Sequence, residues 1–316
     1  MRNDGSNEPP KPNNSKLIRA LIEIRKSYWL YLMCIPGILY FIVFRYAPMW
    51  GILVAFQDFN LWRGFWESDW VGFTHFINFF NSPSFNRVVG NTLILSFLNI
   101  VFAFPAPILL ALLLNELRRQ WFKRTIQTLI YIPNFISWVI IASMTFMLLS
   151  SGGPVNSALT FLGRDTIPFL TSVDSFRTII ISQQIWRGAG FGTIVFLAAL
   201  SGVDVEQYEA AIVDGASRLR QVWHITLPAI RSTIVILLVL QMGGVMEAGF
   251  DQLVLMGNAG NRVVADVIDV YVFRVGLVGG QFSYTTAVGL FQSLVGLILI
   301  FASDRLAKRL GESGIF

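Results

Sequence analysis

Few residues in this 316-residue chain have the type and spacing for covalent or acid–base chemistry. The two histidines, His75 and His224, lie far apart, and the lone Cys34 sits in an apolar run. No Cys/His cluster surrounds them, so neither a zinc nor a haem site is expected. Asp58 and Asp69 share one segment, but an acid pair without a converging base or nucleophile makes no catalytic site. No G-x-x-x-x-G-K-[ST] stretch offers a phosphate cradle. One segment stands apart. Residues 201–228 read SGVDVEQYEAAIVDGASRLRQVWHITLP and hold four of the nineteen acids: Asp204, Glu206, Glu209 and Asp214. Asp204 with Gln207 has the form of a capping box and predicts a helix over 205–213. Gly215 suits a positive φ or a close backbone approach. Ser217 can cap a second short helix reaching Ile225, and Pro228 suits the first turn of the helix that follows. Such a hairpin buries nothing in lipid. Its functional reading is a docking element, and its bland reading is a solvated helical loop.

The elements that must carry this hairpin follow from composition. The chain is 54% hydrophobic and 14% charged, with mean hydropathy +0.60. A soluble protein carries about 25% charged residues. Disorder is excluded, and a polytopic all-α membrane protein is expected. Apolar runs at about 20 residues per span predict six membrane helices near 28–52, 90–114, 126–149, 177–200, 228–247 and 283–303. Pro36, Pro105, Pro107 and Pro133 lie inside these runs, where proline marks kinks.

Lysine and arginine concentrate in 1–27, after the second span (Arg118, Arg119, Lys123, Arg124), after the fourth (Arg218, Arg220, then Arg231) and at the C-terminus (Arg305, Lys308, Arg309). The opposite loops hold Arg63, Arg87, Arg164, Arg177, Arg262 and Arg274. The positive-inside rule then places both termini and the hairpin in the cytoplasm. This asymmetry accounts for the net charge of +5, so nucleic acid is set aside as a partner. The domain reading is a cytoplasmic tail with an interfacial basic helix (1–27), a first span with an aromatic outer loop (28–87), a core membrane domain (88–304) with the hairpin at 201–228, and a cytoplasmic C-terminus (305–316). The polar first 15 residues show no cleavable signal peptide. Segment 248–281 is only moderately apolar and reads as an outer loop, a re-entrant segment or part of the fifth helix.

The hairpin residues resemble the EAA motif of ABC importer permeases, E-A-A-x-x-D-G-A followed nine residues later by I-x-L-P. Glu209, Ala210, Ala211, Asp214, Gly215, Ala216, Ile225, Leu227 and Pro228 match every position, with Trp223 at a place usually held by Phe. The resemblance covers about 28–310 and is nearest to the maltose-type carbohydrate uptake group, oligosaccharide and polysaccharide branch. It implies a type I ABC importer transmembrane domain, a non-catalytic subunit of a bacterial plasma-membrane transporter. It implies a second homologous permease subunit, an ATPase dimer that carries ATP and Mg, and an extracytoplasmic sugar-binding protein. This chain would bind no cofactor itself. The short helix bearing Glu209 to Gly215 would enter a groove of the ATPase, with the small residues allowing close approach.

Polar residues within spans are candidates for the substrate pathway. They are Gln183, Gln184, Trp186 and Arg187 in the fourth span, Glu247 and Asp251 at the end of the fifth, Tyr284 and Gln292 in the sixth, and Asn134 and Trp138 in the third. Arg187 is costly in a membrane and must meet a cavity, an acid such as Glu247 or Asp251, an acidic sugar, or the interface. Gly188 and Gly192 have the spacing of close helix packing. Two other classes compete. A secondary transporter needs an ion-coupling carboxylate within a span, for which Glu247 is the nearest candidate. A membrane enzyme needs convergent reactive groups, which are lacking. An ABC permease for another solute class also remains an alternative.

Overall fold

The computed structural model describes residues 26–309 together with Gly311 and Gly314. Most of the basic interfacial helix expected over 16–27 lies outside the described residues. The chain divides into two compact units at Leu53 and Val54. In the first, α1 (Tyr28–Phe41) contains Pro36 and passes into a π turn at Ile42–Tyr46.

The second unit opens with a two-stranded ribbon, β1 (Gln57–Asp58) antiparallel to β2 (Asp69–Trp70). A short helix, α2 (Thr74–Phe80), follows. The aromatic loop divides by position, and its exposed members include Phe73 and Phe80 as well as the tryptophans. Phe79 is buried against Phe85, Tyr271, Tyr284 and Phe291, whereas Trp62 is 96% exposed and Trp66 86%. Helices α3 (Phe85–Leu98) and α4 (Pro105–Asn115) form one span through a π turn at Asn99–Ala103. Pro105 has no N–H to continue the ladder, and the π turn absorbs the break.

The third span differs from the expected 126–149. Helix α5 (Gln120–Tyr131) is amphipathic, a 3₁₀ turn takes Ile132–Phe135, and Ile136 and Ser137 are extended. Only then does α6 (Trp138–Leu149) begin, capped by Ser137, with α7 (Pro154–Phe161) after it. Pro133 sits in the break and is buried. Apolar content concealed a helix stop that proline and the Ser137 cap impose.

Helix α8 (Val173–Ser201) is the longest element, with Ser172 as its N-cap. The hairpin comprises α9 (Val205–Val213), α10 (Arg218–Gln221), a π turn at Val222–Thr226, and α11 (Leu227–Ala229). Helix α12 (Arg231–Gly243) follows a 60° bend. The fifth span thus starts at Arg231, and Pro228 lies before the bend, closing the hairpin helix. Segment 248–281 is built of α13 (Phe250–Met256), α14 (Arg262–Ala265), α15 (Ile268–Val272) and a π turn at Phe273–Val278. It is no plain outer loop. Ala248, Leu253, Val264 and Val267 pack with Leu95, Phe176 and Ile180 in one buried cluster. Helix α16 (Phe282–Arg309) is the last helix among the described residues. Among the described residues, four helical stretches are long and apolar enough to cross a membrane, and six if each bent pair is one span.

Helix α8 is held at its centre by backbone proximity. A Cβ on Gly190 would lie 1.8 Å from the Ile130 carbonyl oxygen, and one on Gly192 3.0 Å from Pro107 Cβ. Gly188 has open space. The tight pair is therefore 190 and 192 rather than 188 and 192. Gly190→Ala must push α8 from α5 and should destabilise by about 1–3 kcal/mol, the usual overpacking cost. Gly188→Ala, mid-helix and in open space, should raise stability slightly, by about 0.5–1 kcal/mol. Thermal unfolding of the detergent-solubilised protein checks both, and equal Tm values for the two variants contradict this packing.

Candidate functional site

The hairpin is built by local signals that its sequence carries. Helix α9 leaves α8 at 72°. Asp204 Oδ1 accepts the Glu206 backbone N–H at 2.9 Å, satisfying a donor of the first turn. The Gln207 half of the expected capping box is not among the hydrogen bonds that form. At the other end Gly215 adopts φ +75°. The Ala216 N–H donates to Ala211 O at 2.8 Å and the Gly215 N–H to Ile212 O at 3.0 Å. That is a Schellman motif, which only a residue tolerating left-handed φ completes cheaply. Asp214-Gly215-Ala216 is thus a helix stop before it is anything else.

Three contacts brace the hairpin. Tyr208 Oη and Thr226 Oγ1 lie 3.0 Å apart, joining its two helices. Gln221 Nε2 donates to Ala216 O at 3.0 Å. The Arg218 guanidinium pairs with Glu116 at the end of α4. Held in this way, the hairpin still exposes Ile212 (61%), Val213 (87%) and Leu219 (69%) beside the exposed acids Glu209 and Asp214. Exposed large apolar groups beside exposed acids are the composition expected of an interaction surface. Ile225 and Leu227 are half-buried, and Pro228 is exposed. Ala210 is exposed, while Ala211 and Ala216 are half-buried.

The intramembrane polar residues do not form one site. Gln183 is buried and donates to Thr145 Oγ1 at 2.6 Å, and its Oε1 accepts from Gln252 Nε2 at 2.6 Å. Gln184 Nε2 donates to Gln252 Oε1 at 2.9 Å. Gln252 was not singled out in the sequence, because it lies in the segment of unclear type. The Gln184 Oε1 is buried without a hydrogen-bond partner. Gln184 lines a hollow of about 300 Å³ with Gly188, Phe104 and Gln241.

Arg187 meets neither Glu247 nor Asp251 in an ion pair among the described residues. Its Nε donates to Ile136 O at 3.2 Å, and its Cζ lies 4.7 Å from the centre of the Trp138 ring. The break in the third span frees that carbonyl, and Arg187 pairs with it while stacking on the aromatic face. Trp186 beside it is exposed, and Asn134 sits half-buried in the 3₁₀ turn. Glu247 and Asp251 are exposed, and Glu247 lines a second hollow, about 330 Å³, with Gln292 and Ser293. Gln292 Nε2 donates to Met246 O at 2.9 Å and to Asp269 Oδ1 at 2.7 Å. Tyr284 Oη lies 3.0 Å from Tyr271 Oη and lines a third hollow, about 450 Å³, with Asp58 and Gln281.

A charged cluster escaped the sequence reading. The Asp266 side chain is 1% accessible and takes Arg87 Nη2 at 2.9 Å and Arg274 Nη2 at 2.8 Å. Asn91 joins it, donating to Val263 O at 2.6 Å and Asp266 O at 3.2 Å, and accepting from Arg177 at 3.1 Å. Arg87, Arg177 and Arg274 had counted only as loop charges. Nothing in their spacing announces a shared carboxylate.

Four to six apolar helices of membrane-spanning length, with a braced polar hairpin between two of them, define the described residues as those of a polytopic membrane component. The family described as "Binding-protein-dependent transport system inner membrane component" matches residues 103–312, and the chain belongs to it. Members are permease subunits of ABC transporters and are not themselves enzymes. The chain is 51% identical to Protein LplB of Bacillus subtilis, covering 98% of each. It is 53% identical to the polygalacturonan/rhamnogalacturonan transport system permease protein YteP of the same organism, over 94% of this chain and 93% of that one. A chain of a bacterial alginate ABC transporter, crystallised with an alginate pentasaccharide-bound periplasmic protein, superposes with TM-score 0.87 at 39% identity, covering 94% and 100% of the two chains.

The Asp266 cluster should be structural in the first instance. Asp266→Ala removes a buried acceptor shared by Arg87 and Arg274, each more than a third accessible, and should cost about 1–3 kcal/mol. Thermal unfolding in detergent reads this, and a Tm equal to wild type contradicts it.

Proposed function

We propose that this chain is a permease subunit of an ATP-driven importer of acidic oligosaccharides in a bacterial plasma membrane. The hairpin carries the reading, because its EAA pattern coincides with a rigid, projecting helix that exposes Glu209 and Asp214 among apolar side chains. The names of the similar proteins support the substrate class. YteP is a polygalacturonan/rhamnogalacturonan permease, and the alginate transporter imports an acidic polysaccharide. The lysine and arginine distribution supports cytoplasmic termini and a cytoplasmic hairpin.

In this mechanism a separate ATPase dimer holds ATP and Mg, and this chain binds neither. Helix α9 seats in the ATPase groove, where Ala210, Ala211, Gly215 and Ala216 permit close approach and Glu209 and Asp214 meet donor groups. Closure of the ATPase dimer moves the hairpin. The Arg218–Glu116 pair and the rigid turn at Gly215 pass that motion to α4, α8 and α12. A second homologous permease completes the pore, and an extracytoplasmic binding protein delivers the sugar. Gln184, with its unpaired carbonyl, and the hollow shared by Glu247 and Gln292 form the substrate pathway. Gln183, Asn134, Trp138, Trp186, Arg187, Asp251 and Tyr284 shape and support it.

Glu209→Lys reverses a docking charge without touching a buried contact. Gly215→Pro removes the N–H that closes the Schellman motif and forbids its φ. Both variants should lose ATPase co-purification and substrate-driven ATP hydrolysis while the spans remain folded by circular dichroism. Retained ATPase with normal ATP-driven uptake contradicts the docking role. Uptake through the reconstituted transporter should favour oligouronates over neutral oligosaccharides of equal length, and equal transport of the two contradicts the substrate class. Arg187→Gln should reduce transport of any cargo through loss of the Ile136 contact, and a loss confined to acidic sugars would instead assign Arg187 to the substrate.

A further inference from the structure

The end of α8 opposite the hairpin carries more guanidinium than carboxylate. Twenty-nine residues at about 1.5 Å rise separate the two ends. Arg87 and Arg274 share the one buried carboxylate of Asp266. Arg177 joins through Asn91, and its Nε is buried without a hydrogen-bond partner. Arg262 stands one helical turn before Asp266, is exposed, and makes no side-chain hydrogen bond or ion pair among the described residues. A hollow of about 220 Å³ opens here, lined by Arg262, Arg274 and Asp266 with the apolar Val254, Phe273 and Val278. Two arginines against one acid leave this hollow positive. Asp266 fixes Arg274, and Tyr271 lies beneath its guanidinium at 5.4 Å, so one cationic wall is already ordered. Guanidinium is the planar donor that matches a carboxylate with two parallel hydrogen bonds. The apolar wall suits the C–H face of a sugar ring.

We propose that this hollow is an entry subsite for the carboxylate of a uronate residue. Arg262 grips the carboxylate, and Arg274, held by Asp266, is its fixed neighbour. The proposal rests on the acidic-oligosaccharide reading and places sugar recognition at a different arginine from Arg187, whose guanidinium is engaged by Ile136 and Trp138.

The test uses the assembled transporter in lipid nanodiscs without its binding protein. Equilibrium binding of trigalacturonate and of a neutral galactose trisaccharide is measured for wild type, Arg262→Gln and Arg262→Lys. Arg262 is exposed, so neither substitution threatens the fold. Wild type should prefer trigalacturonate, Arg262→Gln should weaken it at least tenfold, Arg262→Lys should fall between, and the neutral sugar should not change. Wild-type affinity in Arg262→Gln, or no trigalacturonate binding by the wild-type transporter, overturns the subsite. A variant that binds trigalacturonate normally but loses the binding protein also overturns it and makes the hollow a protein contact. If complete transport with the binding protein shows no preference for uronates, the acidic-sugar reading itself fails.

Discussion

Hydrocarbon offers no water to a backbone N–H or C=O, and each unpaired group there costs several kcal/mol. Every departure from straight helix in this chain must therefore be repaired from within. The repairs are specific. Arg187 pairs with the Ile136 carbonyl where the third span breaks. Thr92 Oγ1 accepts the Ile268 N–H at 3.0 Å where α15 begins. Gln292 donates to Met246 O at 2.9 Å in the turn between α12 and α13. Asn258 and Asn261 both donate to Leu170 O, tying the turn before α14 to the segment before α8. Most polar side chains within the spans satisfy backbone or one another, and few are left for a passing solute.

This changes how intramembrane polarity reads as function. A glutamine in a span is a transport candidate only if some capacity is left over. Gln183 spends its amide on Thr145 and Gln252, whereas Gln184 keeps an unpaired Oε1. The hydroxyls of Thr285, Thr286 and Ser293 donate to carbonyls within α16. The breaks are also where the helix axes turn. The π turn beside Pro105, the 72° turn into α9 and the 60° bend at Ile230 interrupt the straight helices on either side of the hairpin.

Local signals were the most legible in the sequence. The α9 bounds match the expected 205–213, because Asp204 and Gly215 act within a few residues of themselves. Six spans agree with the bent-pair count, since apolar length is also a local property. Long-range matters were not legible. The break at 132–137 hid within an apolar run. Segment 248–281 stayed open between loop, re-entrant segment and helix because its core partners Leu95, Phe176 and Ile180 lie far away in sequence. The Asp266 cluster joins residues 87, 177, 266 and 274, and no spacing rule links such positions. The EAA pattern was informative because its parts lie within 20 residues and its glycine has one backbone task.

The central claim is that a braced hairpin, rigid in itself, is the surface through which an ATPase drives the bent spans. Hydrogen–deuterium exchange of the permease with and without its ATPase tests this most directly. Amides of 205–216 should gain strong protection on complex formation, while the loop at 257–262 stays unchanged. Unchanged exchange over 205–216, with protection appearing on another loop, would contradict the account.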